Sequence, residues 1–183
     1  MSITRQQALD CFTSDDLIGI GLEADALRRT LHPEGVVTYL VEEDAPHVAP
    51  AEAITASLTI GLGDSPTQLV EQLEALRTQQ AESATFAAFT LHAAPGPTEP
   101  TAVEYLKTLA ICRLYLDNIP NIQTSTALGV KVLQMTLRFG ANDIGTVPQN
   151  QKHATEEDLR RIIRDAGFQP IQRDPLYRTM FLN

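Results

Sequence analysis

The feature that most constrains the fold is an alternation of two hydrophobic periods. Short apolar runs rich in β-branched residues alternate with segments whose apolar residues recur at helical spacing. SDDLIGIGLEADALRRTLHP opens at Ser14, repeats Leu17, Ile20, Leu27 and Leu31, and stops at Pro33. It feeds directly into Val36, Val37, Tyr39, Leu40 and Val41, a near-continuous apolar run that reads as a strand covered on both faces. ITASLTIGLG, Ile54 to Gly63, is the next apolar run, after which Ser65 and Pro66 mark the N-cap and first turn of a helix carrying Leu69, Val70, Leu73 and Leu76. Thr85 to Ala93 reads as a strand, and Thr101 to Leu116 as a helix with Val103, Leu106 and Ala110 on one side. NIQTS gives a short strand; TALGVKVLQMTLRF gives a helix with Leu128, Val132, Met135 and Phe139 in register and Gly140 as its C-cap. ANDIGT is the strand after that. The last helix starts at Thr155 with a capping box to Asp158, carries Leu159, Ile162 and Ile163, and ends at Gly167. QPIQRDPLYRTMFLN is a polar tail that can add one extended segment.

Alternating strands and helices with short connections imply parallel strands joined by right-handed crossovers, so the fold class is α/β. A closed eight-stranded barrel usually takes about 250 residues. This chain has 183 residues and five main strands, so the sheet is expected to be open, or to close with another chain. A hydrophobic content of 43% supports one core and one domain: N-terminal helices over 1–34, a partial barrel over 35–148, and a C-terminal helix and tail over 149–183. No apolar run approaches the roughly 20 residues that cross a bilayer, and MSITRQQALD lacks the pattern of a signal peptide. The expectation is a cytoplasmic protein without a membrane partner. Cys11 and Cys112 lie far apart within helical patterns, which suggests neither a disulfide framework nor a metal pair. A net charge of −9 without a basic cluster in sequence argues against nucleic acid and leaves a small ligand or a protein as the expected partner.

In such sheets chemistry gathers at the carboxyl ends of the strands. Those positions offer Glu42, Glu43 and Asp44, then Asp64, then His92, then Gln123, Thr124 and Ser125, and finally Asn142, Asp143 and Thr146. The acidic trio reads most simply as a solvated turn, and Asp64 as a helper at a helix N-terminus. His92 is either a general base or ligand, or a structural histidine. Asn121, Gln123, Asn142 and Asp143 carry amide and carboxylate groups inside short buried strands, where an unpaired polar group costs several kcal/mol. They either line a pocket or stitch loops together.

IPNIQTS followed by a helix and LRFGANDIGT, with TAVEYLKTLAICRLYLDNIPNIQ before it, resembles the C-terminal half of the dehypoxanthine futalosine cyclase family of radical-SAM enzymes. SDDLIGIGLEADALRRTLHPEGVVTYLVEED resembles that family's N-terminal helices and first barrel strand. ITASLTIGLGDSPTQLVEQLEALRTQQ resembles its fifth strand and helix, and RRIIRDAGFQPIQRDPLYRT its C-terminal end. The resemblance implies a (β/α) barrel and a role related to menaquinone biosynthesis by the futalosine route. Family members hold a 4Fe-4S cluster and S-adenosylmethionine through a CxxxCxxC loop after the first strand, and here the corresponding stretch reads EEDAPHVAPAE. Cluster iron is held by cysteine thiolates, so no cofactor is expected. The aromatic that often follows IPNIQ is replaced by Thr126, and the glutamate-bearing run after GAND-G by TVPQNQ.

The chain thus passes from the family's first strand to its fifth, which leaves five strands in the spatial order five, six, seven, eight, one: an open half-barrel. Its concave face is expected to be exposed and apolar, favouring a homodimer or a partner that completes the barrel. Three functions follow. The chain is a non-catalytic relative that binds a nucleoside-like metabolite or a protein; or it is part of an active cyclase whose cluster comes from another chain; or it is the product of a decaying gene. Asn121, Gln123, Asn142 and Asp143 are the expected ligand-binding residues, with no metal ligands. His92 and Asp143 are candidates for proton transfer, although no residue is assigned a catalytic role.

Overall fold

A computed structural model describes residues 2–41, 53–124, 128–147 and 155–179. The acidic trio Glu42 to Asp44, the connector DAPHVAPAE up to Glu52, Ser125, Thr126 and the stretch from Pro148 to Ala154 lie outside the described residues. Two helices open the chain, α1 (Arg5–Thr13) and α2 (Leu17–Leu31), followed by strand β1 (Val36–Val41). Strand and helix then alternate as β2 (Thr55–Ile60), α3 (Pro66–Ser83), β3 (Ala88–Ala93), α4 (Ala102–Tyr115), β4 (Asn121–Gln123), α5 (Val130–Thr136), β5 (Asp143–Val147), α6 (Glu156–Asp165) and β6 (Gln169–Gln172). Among the described residues no helix is long and apolar enough to cross a membrane.

All six strands pair in parallel, in the order β2-β3-β4-β5-β1-β6. The expected order of the first five is realised, and the fold is an α/β partial barrel. The sixth strand changes the edges. β6 pairs with β1 from Val36 opposite Gln169 to Tyr39 opposite Gln172, so β1 is internal and the sheet ends at β2 and β6.

Strand alternation sorts side chains between an outer layer of helices and a concave inner face. In β2, Ala56, Leu58 and Ile60 are buried while Thr55, Ser57 and Thr59 are exposed. The outward set joins Val37, Phe89, Leu91 and Ile122 against Leu69, Val70 and Leu73 of α3 and Leu106 and Leu109 of α4. α4 is buried nearly all round, because α1, α2, α3 and α5 pack against it as well as the sheet, and the sequence face carrying Val103 is its one exposed corner. α5 begins later than expected, at Val130, and buries Leu133, not Met135, which is exposed. Gly140 lies beyond that helix, at φ +101, and a Cβ there would come within 2.7 Å of the Arg113 Cβ. That close approach, rather than helix capping, is what Gly140 provides.

Arg113 ties the helical layer to the amino end of the sheet. It is fully buried on α4, with Nε donating to the Gly140 carbonyl (2.8 Å), Nη1 to the Pro120 carbonyl (3.2 Å) and Nη2 to Asn142 Oδ1 (2.6 Å). Burial, and secondarily Arg28, pushes this guanidinium below its ordinary value. His32, at the end of α2, bonds the same Pro120 carbonyl through Nε2 (2.8 Å), which requires the proton on that nitrogen. Burial lowers His32 from its ordinary 6.5, with the Pro120 bond opposing and the Arg113 charge adding to the effect. The unfolded chain therefore takes up the proton first as pH falls. The stabilisation is complete above about 6.5 and is lost as pH falls through the lower folded value. Urea unfolding at stepped pH should show wild-type stability declining below about pH 6.5. His32→Gln, which keeps a donor that does not titrate, should remove that part of the slope; an unchanged slope in the variant would refute the assignment.

Candidate functional site on the concave face

The concave face is built by alternate residues of each strand: Thr38 and Leu40 on β1, Thr55, Ser57 and Thr59 on β2, Thr90 and His92 on β3, Gln123 on β4, Asp143 on β5, and Arg173 just past β6. It is mainly hydroxyl, amide and charged, not the apolar lining expected from sequence. The reason lies in β2 and β3. ITASLTI was read as one apolar run, but its hydroxyl-bearing residues alternate with its aliphatic ones and so share the inner face.

Asp143 is at the centre. It is 0% exposed and opens β5, opposite Gln123 on one side and Thr38 on the other. Its Oδ1 accepts from the Gly145 N–H (2.8 Å) and Arg173 Nη2 (3.1 Å), and its Oδ2 from Arg173 Nε (2.5 Å) and the Thr38 hydroxyl (2.6 Å). Four donors on two oxygens meet the requirement for a buried carboxylate. Gly145 sits at φ +74, where a Cβ would come within 2.7 Å of Gln123 Nε2, so only glycine lets the strand and this amide approach so closely.

Arg173 reaches Asp143 from a compact turn. The Asp174 carboxylate accepts from the backbone N–H groups of Leu176 and Arg178 (2.9 Å each) and from Arg178 Nε (2.6 Å), which fixes Asp174 to Arg178 as a loop. Within it Tyr177 adopts φ +62, uncommon for a residue with a side chain. This places its ring 3.8 Å from the Arg173 guanidinium and lets its hydroxyl donate to Gln123 Oε1 (2.8 Å). Burial, then the Asp143 charge, raises the Tyr177 phenol, which keeps the proton on that donor. Burial works against the Arg173 charge, but the Asp143 carboxylate outweighs it and holds the guanidinium above its ordinary value. The Pro175 carbonyl accepts from the Ala53 N–H (3.1 Å), so the turn crosses from the β6 edge to the start of β2. The chain's own tail thus lies over Gln123 and Asp143 on the concave face.

The structure separates the residues that sequence had grouped at the mouth of the strands. Asn121 opens β4 and Asn142 immediately precedes β5, so both lie at amino ends. Asn121 Nδ2 donates to the Ala87 carbonyl (2.8 Å) and its Oδ1 accepts from Asn142 Nδ2 (2.8 Å); Asn142 Oδ1 accepts from Arg113 and from the Ile122 N–H (2.9 Å). They stitch strands together through these bonds. Gln123 and Asp143 do meet on the inner face, but their polar groups are taken by Tyr177 and Arg173. His92 is exposed on β3, opposite Thr59 and two residues beyond Thr90, the partner of Gln123. It shares no hydrogen bond with Asp143 among the described residues. Asp64 serves its own loop, accepting from the Gly61 N–H (2.7 Å), and does not cap α3. Sequence reading missed Arg173, Tyr177 and Thr38. The available signal was the buried carboxylate in GANDIGT, which demands a cation, and RDPLY supplies one after a segment able to pair as a strand.

This geometry defines an α/β partial barrel. The FeFe-hydrogenase maturase HydG from Carboxydothermus hydrogenoformans shares the fold at a TM-score of 0.53 and 15% identity, over 67% of this chain and 34% of that one. Residues 94–182 match the CofH/MqnC C-terminal region. The cyclic dehypoxanthine futalosine synthase of Streptomyces coelicolor is 30% identical over 146 residues, covering 70% of this chain and 37% of the relative. The 5-amino-6-(D-ribitylamino)uracil–L-tyrosine 4-hydroxyphenyl transferase of Methanopyrus kandleri is 35% identical over 150 residues, 69% of this chain and 41% of the relative. The chain is thus similar to the C-terminal region of CofH/MqnC over residues 94–182 and to the cyclic dehypoxanthine futalosine synthases over about 70% of its own length. It spans 37% and 41% of the length of these two curated relatives.

The Asp143–Arg173 pair can be tested by a double-mutant cycle in urea. Arg173→Met should destabilise by about 3–5 kcal/mol, because it leaves a buried carboxylate without its cation. Asp143→Leu with Arg173→Met should recover much of that loss; a double-variant loss equal to the sum of the two single-variant losses would show that the pair is not coupled.

Proposed function

We propose that this chain is a cluster-free relative of the futalosine-route radical-SAM enzymes that binds a polar, nucleoside-like metabolite or a protein partner without performing radical chemistry. The observation that carries the reading is the placement of the chain's two cysteines. Cys112 is fully buried on α4 and its thiol is pushed up by desolvation; Cys11 is half-buried on α1 and raised by burial as well. Both belong to the helical layer, neither faces the concave surface, and a 4Fe-4S cluster needs several thiolates converging on one point. These residues do not fit the cluster.

Ligand chemistry on the inner face would fall to the part that the tail leaves uncovered. There Ser57, Thr59 and His92 are exposed, giving hydroxyls and an imidazole suited to hydrogen bonding with a sugar or base. Anaerobic reconstitution of the purified chain with iron and sulfide is expected to give no stoichiometric cluster absorbance. A 4Fe-4S signal that survives desalting would overturn the reading.

One observation favours a second reading, in which another chain supplies the cluster half and completes the barrel. β2 pairs only with β3 among the described residues, so its other edge is free to accept a strand. Mixing this chain with a candidate partner that carries the missing cysteines should then yield a stable complex and turnover of dehypoxanthine futalosine. A mixture with neither would dismiss it.

A further inference from the structure

At the amino end of the sheet, away from the concave face, a cavity of about 450 Å³ lies between the end of α2, the turn after α5 and the turn after α6. Arg28, Arg29, His32, Arg138 and Phe168 line it, together with the backbone at Gly35 and Gly167. The arginines come from distant parts of a chain whose net charge is −9, and only the fold gathers them.

Part of this arrangement is structural. Arg28 and Arg29 fall in the last turn of α2, where cations offset the helix's carbonyl end. Asp25 accepts from Arg28 Nε (3.0 Å) and Arg29 Nη2 (2.8 Å), and lies 3.8 Å from Arg138 Nη1. Helix balance and one carboxylate do not account for the rest. Arg138 belongs to neither end of α2, yet its guanidinium is drawn in over the Phe168 ring at 4.9 Å, while Arg28 lies over the same ring at 4.2 Å. Two cations share one ring with a third beside them, and the single charge of Asp25 offsets only part of their mutual repulsion. The other nearby carboxylate, Glu34, sits on the rim, 3.4 Å from His32 Nδ1. Gly167, at φ +85, has no side chain where a Cβ would come within 2.7 Å of Arg138 Nη2, which leaves room for that guanidinium.

The decisive atom is Arg28 Nη1. Arg28 is 1% exposed, and this nitrogen has no hydrogen-bond partner among the described residues. A buried guanidinium N–H without an acceptor is costly and unusual, and the side chain that carries it lines a basic cavity.

We infer that this cavity is an oxyanion site for a phosphoryl group, with Arg28 Nη1 as its buried donor and Arg29 and Arg138 closing on the ligand from the solvent side. Guanidinium forks match phosphate oxygens, and a tetrahedral anion can accept from the several directions that these three side chains occupy. The volume leaves space for the group that bears the phosphate.

The test uses inorganic phosphate as the probe, in calorimetric titrations at constant ionic strength set with sodium chloride. Wild-type protein should bind one phosphate per chain. Arg29→Gln with Arg138→Gln removes only partly exposed guanidiniums and should weaken binding at least tenfold while circular dichroism and melting stay close to wild type. Arg28→Lys, which keeps a charge but loses the second donor, should weaken it as well. No phosphate heat in the wild type, equal affinity in the double variant, or acetate binding as tightly as phosphate would each overturn the assignment.

Discussion

The buried ion pair between Asp143 and Arg173 is the constraint on which the rest of this structure depends. An open parallel sheet has an inner face that a closed barrel would cover with opposing strands. Here that face carries a carboxylate with no solvent exposure, and a buried charge of this kind persists only if paired and fully hydrogen-bonded. Arg173 supplies the pairing, and its position fixes everything after β6. The chain must turn sharply at Asp174, hold Tyr177 at positive φ and bring Pro175 against the approach to β2. One electrostatic requirement in the middle of the sheet thus places a short strand on one edge and carries the tail toward the other.

At the amino end a second set of buried polar groups does complementary work. Arg113 has no carboxylate partner, and its charge is dispersed over the carbonyls of Gly140 and Pro120 and the amide of Asn142. Those acceptors belong to the segments that lead into β4 and β5. The bonds therefore set where each strand begins, and with it the register that puts Gln123 opposite Asp143. Gly140 and Gly145 make the two closest approaches possible. Polar specificity, more than apolar area, decides how the two shortest connections in the sheet are aligned.

Much of the fold was legible in the sequence because it rests on period. The apolar faces Leu69, Val70, Leu73 and Leu159, Ile163, the capping box from Thr155 to Asp158 and the strand at Val36 to Val41 all appear where local patterning places them. The order of the first five strands followed once strand one was placed beside strand eight. What failed was information that is not local. QPIQ is too polar and short to announce a strand, and becomes one because β1 offers an unpaired edge. Asn121 and Asn142 looked like mouth residues because β4 was read as longer than its three residues; with the strands trimmed, both fall at the opposite end. Gln123 and Asp143 were correctly placed together, but nothing in their spacing showed that Arg173 and Tyr177 would occupy the space between them.

These particulars bear on what the shortened barrel can do. Laying the tail across the inner face has a directional effect. The amino-end half becomes a rigid floor in which Asp143 and Gln123 are committed to Arg173 and Tyr177. Among the described residues, Ser57, Thr59 and His92 on the same face stay exposed. A ligand on this face would meet hydroxyls and an imidazole above the floor, while the Asp143 carboxylate is already held by four donors. The floor therefore fixes which groups such a ligand could meet, because Asp143 and Gln123 cannot turn toward it without breaking their bonds to Arg173 and Tyr177.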